Sequence, residues 1–446
     1  MTPKVIPQPD GLNSLSALRA MLHERSVIAA FEEFHARLGN VFRLQLPGFH
    51  PIVLVGAEAN EFILVKEKDN LRWRSDTDPI TRLLGNGLLV TDGFVHDDPR
   101  RVMTPALHMP MIHAYLNAMW RGTNQTLAKW RDDSTVDLLN EMRKLSLLIV
   151  FDALFKDDFS PELERLWGST LRLMRFISPG LWMIWSGAPE RGYSKARREL
   201  DEYLYAIIRR RRAQVQSSSE DNDLIGLLIS AGYDDHHIRD EMMTMVVAGH
   251  DTTTALLAWA WYMLGQHPDV YERARDEATA ILGAPSDDLN SDAPPTMDHL
   301  KQLTYIDQIV RETLRLYPPA HLGSRIAMQN LEFDGYPIPE GSRVIYSIYL
   351  THRLKAHWGD DANGFRPERF ASRPPAKFTY LPFGGGPRLC IGAAFGEIQA
   401  KLVMARVLQT FDLQIDPSKA HTHMGATIEP RHGRHGVLAR VKRRAF

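Results

Sequence analysis

The spacing of apolar residues changes along the chain, and each change marks an element. Phe42, Leu44 and Leu46 alternate with polar positions, Pro47-Gly48 breaks the run, and residues 52–55 resume it, which predicts a strand hairpin. From 111 to 264 the spacing is mostly helical, interrupted at Pro179-Gly180, at Gly187-Ala188-Pro189 and over the polar run 217–222. Residues 242–264 are almost wholly apolar, about long enough to cross a bilayer. His250 and Asp251 lie in that stretch, where lipid penalises them, so it reads as a helix buried in a large protein. It ends near Gly265 and Pro268. After a loop over 285–295, Ile306, Ile309, Val310 and Leu314 share one face of a helix that stops at Tyr317-Pro318-Pro319. Short strands follow, with turns at Asp334-Gly335 and Pro339-Glu340-Gly341. Residues 351–382 show no regular period, and a last helix is predicted over 393–411. With no internal repeat and no linker, the pattern predicts one large domain over 1–446, mainly α with a minor β part, and residues 1–40 as an N-terminal segment.

Composition narrows the function classes. The 446 residues carry 53 Lys and Arg against 54 Asp and Glu, a net charge of −1, so no bulk charge draws nucleic acid or an anionic membrane. The proline-rich N-terminus lacks the apolar core of a signal peptide, and no stable membrane anchor is expected. The single cysteine cannot form an intrachain disulfide, which fits a reducing, cytoplasmic compartment. The run Arg209-Arg210-Arg211-Arg212 is expected to be a solvated helix face, and His236-His237 the exposed start of the long helix. His421, His423, His432 and His435 lack the spacing of a strong metal site.

That cysteine, Cys390, is the chemically suggestive residue. It lies in Phe383-Gly384-Gly385-Gly386-Pro387-Arg388-Leu389-Cys390-Ile391-Gly392, between a glycine-rich turn and a predicted helix N-terminus. The helix dipole and the cation of Arg388 favour a thiolate there. Such a thiolate serves as a nucleophile or a metal ligand. No sequence feature assigns a histidine base, and zinc needs more ligands, whereas haem iron needs only one protein thiolate.

The segment 383–392 resembles the cysteine-loop signature F-x-x-G-x-R-x-C-x-G of the cytochrome P-450 family at every fixed position. Further marks follow the family's order. Glu312-Thr313-Leu314-Arg315 resembles its E-x-x-R, and Pro367-Glu368-Arg369-Phe370 its P-E-R-F. Ala248-Gly249-His250-Asp251-Thr252-Thr253 resembles its oxygen-activation motif. His96-Asp97-Asp98-Pro99-Arg100 resembles W/H-x-x-x-R, with Pro99 a departure that suits only a helix's first turn.

The resemblance covers nearly the whole chain from Phe42 onward and implies the cytochrome P-450 fold around haem b. It implies Cys390 as the axial iron ligand, His96, Arg100, Arg325 and Arg388 on the haem propionates, and Phe383, Gly249 and Gly392 beside the cofactor. Gly249 would leave room for haem and a diatomic ligand. Glu312, Arg315 and Arg369 would form a buried structural network.

The implied reaction is monooxygenation with dioxygen as co-substrate, Asp251 and Thr252 delivering protons. Some family members that rearrange peroxides rather than activate dioxygen lack this acid–alcohol pair, which is intact here. A peroxygenase or isomerase, and a haem-binding sensor, are the competing readings. Electrons from NAD(P)H would arrive through a separate ferredoxin or flavodoxin with its reductase, since no flavin domain follows residue 411, and Arg100, Arg101, Lys401 and Arg406 are candidates for the docking face.

The features lean toward a soluble bacterial type of enzyme, a monomer acting on a small apolar molecule resembling a fatty acid, terpenoid or carotenoid. Family analogy lines the pocket from 80–89, 174–185, 245–248, 320–323 and 424–428, with Leu83, Leu84, Met245, Ala248, Leu322 and Ile428 as its candidates, and the apolar 173–185 stretch as an access lid.

Overall fold

The computed structural model describes residues 3–45, 48–73, 78–178, 191–215, 223–371, 374–416 and 418–445. The predicted N-terminal hairpin is present: Val41–Arg43 and Ile52–Leu54 pair antiparallel, with Val41 opposite Leu54. Leu46 and Pro47 lie outside the described residues. Ile52–Leu54 then pairs in parallel with the distant strand Arg343–Ser347, which pairs antiparallel with Leu322–Ala327, and that strand in turn with Leu71–Arg72. The resulting five-stranded sheet is the larger part of the β structure, and it holds Arg325 in a central strand.

Helices make up most of the rest, around one large apolar core. The apolar stretch near 242–264 is the middle of a 32-residue helix, Asp235–Gln266, called the long helix below. The Asp234 side chain caps its start by accepting from the His237 N–H, and the next helix opens at Pro268. Its side chains from Met242 to Leu264 are nearly all buried, which is why the sequence is apolar all round. Among the described residues no helix is long and apolar enough to cross a membrane. The arginine run departs in part from its expected role. Arg210 pairs with Asp157, Arg211 with Asp223, and Arg212 with Asp235 at 2.5 Å. Arg211 is 5% exposed. Arg209 and Arg210 are exposed as expected, whereas Arg211 and Arg212 turn toward neighbouring segments as ion pairs.

The helix Thr304–Leu316 carries Glu312 and Arg315 into complete burial. Arg315 Nε and Nη2 donate to the two oxygens of Glu312, both at 2.7 Å. Its remaining N–H groups donate to the carbonyls of His352, Ala362 and Gly364. Arg369 Nε donates to Glu312 Oε1 at 3.2 Å, and its other nitrogens reach the Trp358 and Asp361 carbonyls. The irregular stretch 351–382 is therefore ordered by side chains rather than by ladders. His352 adds a second tie: Nε2 accepts from the Leu381 N–H at 2.7 Å while Nδ1 faces the Arg315 carbonyl at 3.0 Å. Burial pushes its pKa down to about 3, so the ring is neutral and can serve as donor and acceptor at once.

Replacing Glu312 by Ala strands two buried guanidinium groups. We expect a loss of roughly 3–5 kcal/mol in chemical denaturation, against near-neutral changes for the exposed pair Lys301–Asp298.

Candidate functional site

The loop before the helix Ala393–Thr410 is shaped by two left-handed glycines, Gly384 at φ 71° and Gly386 at φ 65°. A Cβ on Gly386 would run into the Leu64 carbonyl, so this glycine is required by a neighbouring backbone. The loop doubles back on itself: the Cys390 N–H donates to the Phe383 carbonyl at 2.9 Å. Phe383 itself packs against the large core.

Gly392 caps the following helix, and its N–H donates toward the Cys390 sulphur. Burial pushes the thiol pKa up, opposed by that N–H and by the charge of Arg100. Yet Cys390 keeps accessible surface.

Arg388 is not the cation beside the sulphur. It pairs with Asp92 and donates to the Thr91 carbonyl, and Arg100 takes the place by donating to the Leu389 carbonyl at 2.7 Å. Pro99 lies inside the helix Phe94–Met103, past its first turn, and the helix continues through it. His96 and Arg100 therefore keep their one-turn spacing, with His96 buried and its Nδ1 2.7 Å from Asp97. Arg325 is buried and spans the face of Trp73 at 3.7 Å, and Arg388 lies 4.9 Å from the same ring.

Trp73, whose N–H is held by Asp92 at 2.9 Å, is thus the platform for two of the arginines. Its sequence neighbours carry no motif, so only proximity in the fold reveals it. His96, Arg100, Arg325 and Arg388 lie close enough to feel one another's charge. Desolvation pushes Arg388 down to about 10 and lowers Arg325 and His96 as well. Crowded, desolvated cations facing Asp92 and Asp97 as their carboxylates make a site that an anion would stabilise.

On the long helix, Ala248, Gly249 and Thr252 keep accessible surface amid buried neighbours. Ala248 and Thr252 are one turn apart on one face, and Thr252 Oγ donates back to the Ala248 carbonyl at 2.7 Å. The cysteine-loop helix reaches this region, where a Cβ on Gly396 would lie 4.0 Å from Thr253 Oγ. Asp251 points elsewhere. It is 4% exposed, accepts from the Thr427 hydroxyl at 2.9 Å, and has Arg143 Nη at 3.5 Å. Gly249 keeps accessible surface and also serves packing. A Cβ there would lie 3.1 Å from Val150, so it is the notch into which the helix Leu138–Phe155 packs.

The pocket candidates divide. Ala248 and Leu322 present accessible surface, whereas Leu83, Leu84 and Met245 belong to the large core and Ile428 to the core against the sheet. Met174 is buried and Phe176 packs on the core; 179–185, with Trp182 and Trp185, lies outside the described residues. The expected docking face does not form as drawn. Arg406 is fully buried, held by Asn124, Gln409 and Asp292, because it lies on the inner face of its helix. Lys401 pairs with Asp307, and Arg101, paired with Asp98, is the exposed member of the set.

These residues fit a dianionic, iron-bearing porphyrin. The desolvated thiol gains a cation, and the crowded arginines gain two carboxylates. Comparison with known proteins agrees. The family described as Cytochrome P450 matches residues 9–430, and the chain belongs to that family. Its relatives include 11-oxo-beta-amyrin 30-oxidase of Glycyrrhiza uralensis, 29% identical over 81% of this chain and 74% of the relative. Protein LUTEIN DEFICIENT 5, chloroplastic, of Arabidopsis thaliana is 28% identical over 97% of this chain and 76% of its own. Cytochrome P450 139 of Mycobacterium bovis is 29% identical over 88% and 92%. Plant proteins thus stand beside a bacterial one, and the similarity does not single out a bacterial type.

Trp73→Leu removes the platform under Arg325 and Arg388. Two contacts worth roughly 0.5–2 kcal/mol each predict about a tenfold faster loss of haem to apomyoglobin, with an unchanged fold by circular dichroism.

Proposed function

We propose that this cytochrome P450 binds haem b through Cys390 and inserts one atom of dioxygen into an apolar organic substrate, by hydroxylation or epoxidation. The observation that carries the reading is the accessible, desolvated thiol on the Gly392 N–H, beside a cluster of three arginines and a histidine. When bound, the haem supplies an iron centre whose thiolate ligand favours cleavage of the O–O bond. The chain's residues do the rest. Burial pushes the thiol pKa up, and the Gly392 N–H and Arg100 are the groups that favour the anionic sulphur against it. Arg100, Arg325, Arg388 and His96 orient the propionates. Asp251 and the Thr252 hydroxyl, adjacent on the long helix, deliver the protons that cleavage requires.

A fatty-acid, terpenoid or carotenoid skeleton suits the apolar surface that Ala248 and Leu322 present. A relative named for oxidising 11-oxo-beta-amyrin, an apolar terpenoid, supports the terpenoid side of that range. Electrons come from NAD(P)H through a ferredoxin or flavodoxin with its reductase. The single cysteine supports a cytoplasmic setting, where the enzyme acts as a monomer.

Reduction of the haem-loaded protein under carbon monoxide tests the ligand. A strongly red-shifted Soret band is expected, and Cys390→His should abolish it; a band at the position of imidazole ligation in the wild type would overturn the assignment. Thr252→Ala tests the reaction class. A dioxygen-activating enzyme should then release most of its electrons as hydrogen peroxide, with product per NAD(P)H falling roughly tenfold; a peroxygenase or isomerase would be unaffected.

A further inference from the structure

Asp251 is a buried carboxylate with few partners. Among the described residues, the Thr427 hydroxyl is its one hydrogen-bond donor, at 2.9 Å to Oδ2. Oδ1 has none. The nearest cation, Arg143 on the helix Leu138–Phe155, is 3.5 Å away and bonds instead to Glu429. Glu429 also takes Arg431 at 2.8 Å, so Arg143 is shared between Glu429 and Asp251 while Glu429 is shared between two arginines. Among the described residues, the charged and titratable groups around Asp251 are Arg143, Glu429 and Arg431, with His250 on its own helix, and Asp137 and His423 act on the same two arginines.

Thr427 is itself held in place. It lies between the strands His421–Met424 and Ile428–Arg431, at the tip of their hairpin. The Ala426 N–H donates to Ser178 Oγ at 3.0 Å, and Ser178 Oγ donates to the Met174 carbonyl at 2.9 Å, tying the tip to the end of the helix Leu163–Ile177. On the other side the Ile428 N–H donates to the Pro319 carbonyl at 3.3 Å. The hydroxyl that meets Asp251 thus comes from a backbone anchored on both sides. Its own proton must go to the carboxylate, because an ionised carboxylate only accepts.

We propose that Thr427 is a positioning residue for Asp251: its hydrogen bond holds the buried carboxylate turned toward the hairpin and sets the pH at which that carboxylate takes up a proton. The inference rests on the reading that Asp251 relays protons. A hydroxyl donated to the charged form favours ionisation, so its removal makes the carboxyl easier to protonate. Thr427→Val keeps the shape and removes the donor. Thr427→Ser keeps the donor.

The test is an infrared pH titration of the haem-loaded protein, with the Asp251 carboxyl band identified by its disappearance in Asp251→Asn. Thr427→Val should raise the pH of protonation by roughly one unit, the size of one charge-assisted hydrogen bond, and Thr427→Ser should restore it. Equal titrations in wild type and Thr427→Val, or no Asp251 band in either, overturn the inference. A parallel assay of hydrogen peroxide per NADPH oxidised, with a surrogate ferredoxin and reductase, separates the two claims. If Asp251→Asn leaves the yield at the wild-type level, the proton-relay reading fails. If it changes the yield while the band stays fixed in Thr427→Val, only the positioning role fails.

Discussion

Burying charge without stranding it is the constraint on which the site rests. Glu312 is fully buried, and two arginines and the Arg366 N–H converge on it. Arg315 and Arg369 spend their other donors on carbonyls of the segment 352–364, which no ladder would otherwise hold. The network adds little net stability over an apolar core, since desolvation offsets most of its Coulomb gain. Its value is directional: five carbonyls can meet those two planar forks in one arrangement. His352 carries the order onward to Leu381, and Gly384 then donates to the Leu381 carbonyl. The cysteine loop begins at that point.

The cofactor region shows the opposite electrostatic condition. Arg100, Arg325 and Arg388 press together with His96, and burial lowers the proton affinities of Arg325, Arg388 and His96. Asp92 offsets part of this by pairing with Arg388 and holding the Trp73 backbone. Trp73 offsets another part through its ring face. The remaining excess of positive charge is a standing preference for an anion. The thiol, raised by burial yet served by one N–H and one guanidinium, has the matching preference for a cation.

Asp251 and Thr252 are sequence neighbours that the long helix sends in different directions. Thr252 keeps accessible surface, while Asp251 is directed into a polar seam between the helix Leu138–Phe155 and the hairpin. Two adjacent residues of the motif are thereby placed in different surroundings. Through Ser178, the same hairpin touches the helix that runs up to residue 177, so the surroundings of the acid and that helix share one support.

Local order and chemistry were written in short stretches of sequence. The apolar run in the long helix, the Tyr317-Pro318-Pro319 stop, the Asp334-Gly335 turn and the E-x-x-R pair could all be read there, because capping, periodicity and i,i+3 pairing act over a few residues. Long-range partners could not. Nothing near Trp73 announces Arg325 and Arg388, and nothing near Thr427 announces Asp251, 176 residues away. Nothing near Gly249 or Gly386 in the sequence announces Val150 and Leu64, which the fold packs against them. Arg211 and Arg406 look like surface charge until the fold brings Asp223 and Asp292 to them. Which cations face solvent, which face a cofactor and which merely neutralise a buried acid depends on who sits across the gap. That is a property of packing, which only the closed fold decides.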